Sequence, residues 1–276
     1  EVPMSSIRLI VSDIDGTILD QQHQVDPDLI KLIPQLQEKK IPFILASARS
    51  PIGIAPIARR LGVHQEPIAC YNGALIIKGE EILFEHSLNK DEIRTFLHRV
   101  EELDSSISIN CYSGAVWFNS REDQWTQVEA SITGETPQIQ PLSQTLSDVD
   151  LHLHKLLLIG ETQKIQELYQ KLDPQEFPQT AFYLSKENYL EVTAKSVSKR
   201  DAVLELAAYY QVPLEQVMTI GDHFNDLPMI RLAGLGVAMG NAPEAVQKEA
   251  QVVTSSNQEH GVAQAIQKYV LPPSDK

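Results

Sequence analysis

The sequence predicts an α/β protein: a parallel β-sheet covered by helices on both faces, with an α+β domain inserted into it. Three features predict it. Short buried strands alternate with helices over the first third, the middle changes to antiparallel strand pairs, and the alternation resumes from Ser198. Such alternation builds a parallel sheet, because each crossover between parallel strands needs a connecting helix. The insertion makes the sheet domain discontinuous, 1–85 plus 188–276, around a middle domain at 86–187.

The elements follow in order. Ile7, Leu9, Ile10 and Val11 form an apolar run that reads as a buried strand over 7–13. A helix follows over 26–39, with Leu29, Ile30, Leu32, Ile33 and Leu36 on its apolar side. "IPFILAS" is a second buried strand, 51–61 a helix, and "PIACYNG" a strand ending in a turn. "ALIIKGEEILFEH" reads as a hairpin turning near Lys78-Gly79-Glu80. In the middle, Ile93, Phe96, Leu97 and Val100 mark a helix over 89–102. "SISINCY" and "AVWFN" are strands around Ser113-Gly114, followed by a helix at 121–131 and the loop-like segment 134–148. "HKLLLIG", a helix over 161–172 and the strand pair "AFYLSKENYLEV" complete the middle region. Helix 198–211, strand "QVMTIGD", helix 223–232, strand "LGVAMG", helix 243–249, strand "QVVT" and a helix near 258–269 close the chain. Glu1-Val2-Pro3, ahead of Met4, is left out of this reading.

Composition removes several classes of function. The chain has 276 residues and a net charge of −14, from 23 basic and 37 acidic residues, which argues against a nucleic-acid surface. A phosphate ligand would approach against that field and would need a local cation, a lysine or a metal. Cys70 and Cys111 lie far apart without metal-type spacing, and read as buried reduced thiols of a cytoplasmic protein. No stretch approaches a membrane span, and no signal peptide is visible. No coiled coil or obligate interface is marked, so a monomer acting on a small molecule is the expectation.

Open parallel sheets bind ligands at the carboxyl ends of their strands. Asp13 and Asp15 follow the first strand, Ser47 the second, and Asp222, Asn225 and Asp226 follow "QVMTIG". Lys199 opens the helix after the middle domain. One shared edge would therefore gather several carboxylates, a hydroxyl and an ammonium. Packed carboxylates repel unless a cation compensates, and a hard divalent ion such as Mg²⁺ is the economical one.

"DIDGTIL", "LASAR", "SKRDAV" and "GDHFNDLPMI" resemble, in order, the four signature motifs of the haloacid dehalogenase-like (HAD) phosphohydrolases. "YNGALI", "GVAMGNA" and "NQEHGVAQAI" are similar to the Cof-type subfamily, whose members carry a large α/β cap between the second and third motifs. The middle domain matches such a cap in position, length and element pattern. The resemblance implies a Rossmann-like HAD core, an inserted cap that closes over the site and selects substrate, and a Mg²⁺-dependent phosphatase acting on a small phosphorylated metabolite. Sugar phosphates and phosphorylated cofactors are the implied substrates. It also implies roles. Asp13 is the nucleophile that forms an aspartyl-phosphate, and Asp15 the acid and then the base. Asp222 binds Mg²⁺ with the Asp13 carboxylate and the Asp15 carbonyl. Asp226 and Asn225 are outer partners. Ser47 and Lys199 hold the phosphoryl oxygens. Asn72 and Gly73 are first a turn signal and second a substrate contact; Arg49 is similar to an arginine near the site in this family, or else a surface ion pair.

Other features have plainer readings. His152 and His154 share a strand face without further zinc ligands and read as solvent-facing. His223 sits in the metal-motif loop with no catalytic role. Gly234, Gly236 and Gly240 do not have dinucleotide-binding spacing. Ala48, Arg200 and His260 depart from the family pattern without removing a required group; Arg200 adds a bulky cation near the entrance. A phosphomutase has the same four motifs. A catalytically idle phosphometabolite binder would be favoured by loss of Asp13, Asp15 or Lys199, all of which are present.

Overall fold

The computed structural model describes residues 6–271, so the leading Glu1-Val2-Pro3 lies outside the described residues. The chain forms two compact units. The first comprises residues up to Arg49, Ile54–Phe84 and the chain from Ser198 onward; the second comprises Ser50–Gly53 and Glu85–Val197.

The first unit is an α/β layer structure around an eight-stranded sheet. Leu9–Ser12 lies centrally and pairs in parallel with Phe43–Ala46 on one side and Val217–Gly221 on the other. Leu235–Ala238 and Val252–Val253 extend the sheet in parallel beyond Val217–Gly221. Ile68–Cys70 adds a parallel strand beyond Phe43–Ala46. Leu75–Lys78 then pairs antiparallel with it, and Glu81–Glu85 is the edge strand. The three central strands are buried throughout, and apolar apart from Ser12 and Thr219, because helices cover both faces. Leu9 and Val11 pack with Ile44 and Ala46 against Val203 and Leu206 of the Lys199–Tyr210 helix. That contact fixes the helix start, and with it Lys199, relative to the end of the central strand.

The second unit holds a six-stranded sheet in the order Thr180–Lys186, Tyr189–Ala194, Lys155–Ile159, Ser108–Ser113, Val116–Asn119, Gln138–Ile139. Its pairings are antiparallel except the last. Lys90–Leu103 and Thr162–Lys171 bury Ile93, Phe96, Leu97, Val100, Ile165 and Leu168 in one apolar core with alternate residues of the sheet. The Asn89 side chain caps the first of these helices by accepting from the N–H groups of Asp91 and Glu92. Because Tyr189–Ala194 belongs to this sheet, the unit runs to Val197, past the boundary at 187 expected from the sequence.

Several elements differ from expectation for local reasons. Within 134–148, read as loop, Gln138–Ile139 joins the sheet and Leu142–Ser147 forms a short helix that buries Thr145 and Leu146. Six residues are too few for helical periodicity to show. The helix expected at 121–131 is Gln124–Thr133, started by a capping box on Asp123. The one expected at 223–232 is Leu227–Leu232, because the preceding turn wraps around the Asp226 carboxylate. His154 is not solvent-facing. It is 3% exposed, its Nδ1 accepts from the Gly114 N–H at 2.9 Å, and its Nε2 lies 2.6 Å from Glu85 Oε1. Those bonds place the ring proton on Nε2, and burial draws the pKa below its ordinary value. Cys70 and Cys111 are both buried and free, and burial pushes the Cys111 thiol up to about 12. No helix among the described residues is long and apolar enough to cross a membrane.

His260 precedes the last helix in a left-handed conformation (φ 60°), and its Nδ1 lies 2.8 Å from Asp26 Oδ1. The same Asp26 oxygen accepts the Asp28 N–H and starts the Pro27–Glu38 helix. The hydrogen bond and charge of Asp26 raise the His260 pKa above its ordinary value. A histidine pKa raised by folding adds stability that is complete below the unfolded value, ~6.5, and is lost as pH rises through the folded value. His260 is half exposed although Asp26 is buried, so the pair's worth stays below about 1 kcal/mol. Urea unfolding should show a small loss of stability between mildly acidic and alkaline pH, and H260Q should abolish that difference. An unchanged pH dependence in H260Q would show the pair contributes nothing.

Candidate active site

Two strand ends in the first unit build the site. Ser12 is in register with Ile220, and the Asp13 N–H donates to the Ile220 carbonyl at 3.0 Å, so Asp13 and Asp222 leave the sheet side by side. Thr17 bridges them: its hydroxyl lies 3.2 Å from Asp222 Oδ1 and 3.4 Å from Asp13 Oδ2. Gly16, at φ 74°, turns the chain between them. A Cβ there would fall 2.2 Å from Asp222 Oδ2, so only glycine lets this loop close against the carboxylate.

Lys199 enters from its helix start and is 1% exposed. Its Nζ donates to Asp13 Oδ1 at 2.5 Å and to Asp226 Oδ1 at 2.6 Å. Asp226, fully buried, has its other oxygen occupied as well: Oδ2 accepts from the backbone N–H groups of Asp222 and His223 at 2.9 and 3.2 Å. Asp226 therefore anchors the lysine and shapes the Asp222 turn.

The charges do not balance inside this cluster. Asp13, Asp222 and Asp226 place carboxylate oxygens within 4.8 Å of one another, against the single ammonium of Lys199. Burial, then the Asp226 charge, hold the Asp13 carboxyl well above the usual carboxylate range even though Lys199 pulls the other way. Burial also raises Asp222. Burial alone would lower Lys199, but Asp13 and Asp226 outweigh it and hold the ammonium firmly protonated. A site that is short of positive charge, lined by carboxylates and closed by a glycine, fits a hard divalent cation. Asp13 and Asp222 have the side-chain oxygens that could hold one. Asp26, Asp28 and His260 form a second cluster of this kind, but Asp26 is already committed to a helix cap and to the histidine.

Asp15 lies in a different arrangement. Arg49 holds it in a fork, Nε to Oδ2 at 2.7 Å and Nη2 to Oδ1 at 2.6 Å. The Arg49 N–H donates to Ser47 Oγ at 3.2 Å, which ties the fork to the buried end of the Phe43–Ala46 strand. Ser47 in turn accepts the Asn72 N–H on its carbonyl at 2.8 Å. Asn225 Nδ2 lies 3.5 Å from Asn72 Oδ1. Gly73, at φ 102°, packs so closely on the Lys199–Tyr210 helix that a Cβ would lie 2.9 Å from Ala202 Cβ. Arg200 points to Asp201 at 2.9 Å and is half exposed. Sequence reasoning gave no role to Thr17 or Asn241. Thr17 stands four residues after Asp13, and the Asn241 amide donates to the Gly16 carbonyl at 2.9 Å; the "DGT" and "GNA" segments were the available signals.

A sequence profile of haloacid dehalogenase-like hydrolases matches residues 10–266. A Haemophilus influenzae protein, provisionally named a phosphatase, is 36% identical over 262 residues, covering 93% of this chain and 95% of its own. A Bacillus subtilis protein named 5-amino-6-(5-phospho-D-ribitylamino)uracil phosphatase is 25% identical, covering 96% of each chain. The crystal structure of a haloacid dehalogenase-like hydrolase from Bacteroides thetaiotaomicron superposes with a TM-score of 0.85 at 31% identity, covering 95% of this chain and 99% of that one.

Proposed function

This chain belongs to the haloacid dehalogenase-like hydrolase family, and we propose on that footing that it is a Mg²⁺-dependent phosphatase of a small phosphorylated metabolite. The observation that carries the reading is the buried Asp13–Lys199–Asp226 chain beside Asp222, an excess of carboxylates that a bound cation would balance. The relatives' phosphatase names support the same class of reaction.

In this reading Lys199 and the Ser47 hydroxyl hold the phosphoryl oxygens, and the Asp13 carboxylate attacks phosphorus to form an aspartyl-phosphate. Asp15 gives a proton to the leaving oxygen, then takes one from the water that hydrolyses the intermediate. Arg49 bonds both Asp15 oxygens and so fixes the orientation of the carboxyl, each oxygen keeping a lone pair with which to exchange a proton. Asp13, Asp222 and the Asp15 carbonyl would hold Mg²⁺, which when bound supplies positive charge for the phosphoryl group. Asp226 keeps Lys199 in place, Asn225 supports Asn72, and Asn72, Gly73 and Arg49 border the substrate. The second unit serves as the cap that selects the substrate, and the protein works as a cytoplasmic monomer.

Phosphate release from a panel of phosphorylated metabolites should fall to background with a chelator and return on adding Mg²⁺. Activity unchanged by the chelator would sink the metal requirement. Isomerised product without released phosphate would replace the phosphatase reading with a mutase.

A further inference from the structure

The segments "GVAMGNA" and "NQEHGVAQAI" have no part in the chemistry described above, yet both come against the loop that carries Asp15. Gly16, at φ 74°, follows Asp15 and has no side chain by which the turn could be held. Its carbonyl accepts from Asn241 Nδ2 at 2.9 Å and, among the described residues, from no backbone N–H. The direction of the Asn241 amide is set from behind. Its Oδ1 accepts the Asn257 N–H at 3.0 Å, so its NH2 must face Gly16. The Asn257 side chain also donates to the Leu19 carbonyl at 2.9 Å, further along the same loop.

Asn241 is exposed, but its backbone is braced on both sides. The Gln247 amide donates to the carbonyls of Gly240 and Ala242, each at 3.0 Å. The Gly240 N–H donates to the Ser255 carbonyl at 3.1 Å. Gly240 lies so close to that segment that a Cβ would sit 2.9 Å from the Ser256 nitrogen. A donor framed in this way loses little freedom on bonding, so it competes well with water for the Gly16 carbonyl.

The Gly16–Thr17 peptide held by that bond lies between two groups of the site. Asp15 precedes it, and Thr17 follows with its hydroxyl between Asp13 and Asp222. The Arg49 fork orients the Asp15 carboxyl but does not hold the backbone behind it. We infer that Asn241, oriented by Asn257, is a positioning residue that fixes the turn after Asp15 and thereby the reach of its carboxyl toward the leaving oxygen. The clamp stands on geometry alone; the proton step rests on the phosphatase reading.

Wild type, N241A, N241D and D15N are compared as full chains with Mg²⁺, on phenyl phosphate and p-nitrophenyl phosphate. The two esters are alike in shape near phosphorus, but phenol leaves with a much more basic oxygen and depends more on a donated proton. The ratio kcat/KM covers only the first step, so the later base role of Asp15 does not enter. N241A should lower kcat/KM at least about tenfold for phenyl phosphate and less than about threefold for p-nitrophenyl phosphate. N241D is nearly isosteric and keeps the Asn257 bond, but turns an oxygen toward Gly16. It should show the same split, and D15N a larger one. Independently of turnover, amide hydrogen exchange at Thr17 and Ile18 should quicken about fivefold in N241A, with Leu9–Ser12 unchanged. Equal losses on the two esters in N241A, a wild-type ester ratio in N241D, or unchanged exchange would overturn the inference. Equal losses in D15N would instead remove the acid role of Asp15. A wild type that releases no phosphate from these esters or from the metabolite panel would remove the phosphatase reading, and the exchange rates then decide the clamp.

Discussion

D13N should lower phosphate release by on the order of 10⁴-fold or more while the protein stays folded. The size follows from the role, because removing a covalent nucleophile leaves only the binding and electrostatic parts of catalysis. The retained fold follows from the surroundings. Asn is nearly isosteric, and its carbonyl oxygen can still accept from Lys199, which now donates to Asp13 Oδ1 at 2.5 Å. Burial and the Asp226 charge make ionised Asp13 costly in the folded state, so the neutral amide should leave the unfolding temperature equal or higher. Two measurements decide the matter: steady-state phosphate release, and intact-protein mass after rapid acid quench of the wild type with substrate. A phosphate-sized mass increase on the wild type, absent from D13N, is the expected pair. D13N retaining more than about one hundredth of the activity would move the nucleophile elsewhere.

The Asp13 cluster was legible from sequence because each member sits at a strand end or helix start, where pattern and position coincide. The central strand is an apolar run ending on Ser12, and the two charges that follow it leave at the strand's carboxyl end. The Lys199–Tyr210 helix begins on a capping serine, so the lysine's place at its first turn followed from the Ser-Lys order. What could not be read were partners distant in sequence. Nothing in "LASAR" says that the Arg49 guanidinium closes on Asp15, since that fork depends on the separation of two adjacent strand ends. The turn before Leu227 fell within the helix expected at 223–232, yet two backbone N–H groups bond the Asp226 carboxylate instead. The Leu142–Ser147 helix was hidden by its shortness, and His154 by the distance in sequence from Glu85 and Gly114, the groups that bury its bonds. Periodicity reports which face is apolar; it carries no information about which polar groups meet across it.

K199M should be the most destabilising single change at the site, costing about 3–5 kcal/mol, and should also abolish activity. Methionine fills the space of the lysine stem, so lost packing is small. The cost arises because Asp13 and Asp226 would then face each other, buried and without the ammonium that now bonds both at 2.5 and 2.6 Å. Asp226 cannot turn away to water, since it is fully buried and its second oxygen holds the Asp222 and His223 N–H groups. If uncompensated charge is the cause, removing one of the charges must restore part of the loss. The K199M/D226N double variant should therefore be more stable than K199M by at least about 1 kcal/mol, although D226N alone should be less stable than wild type. Urea unfolding of the four proteins measures this coupling, and phosphate release should be absent from both Lys199 variants. Additive losses in the double variant would mean that the lysine matters for its packing, and that the buried charge chain is not what holds this end of the sheet together.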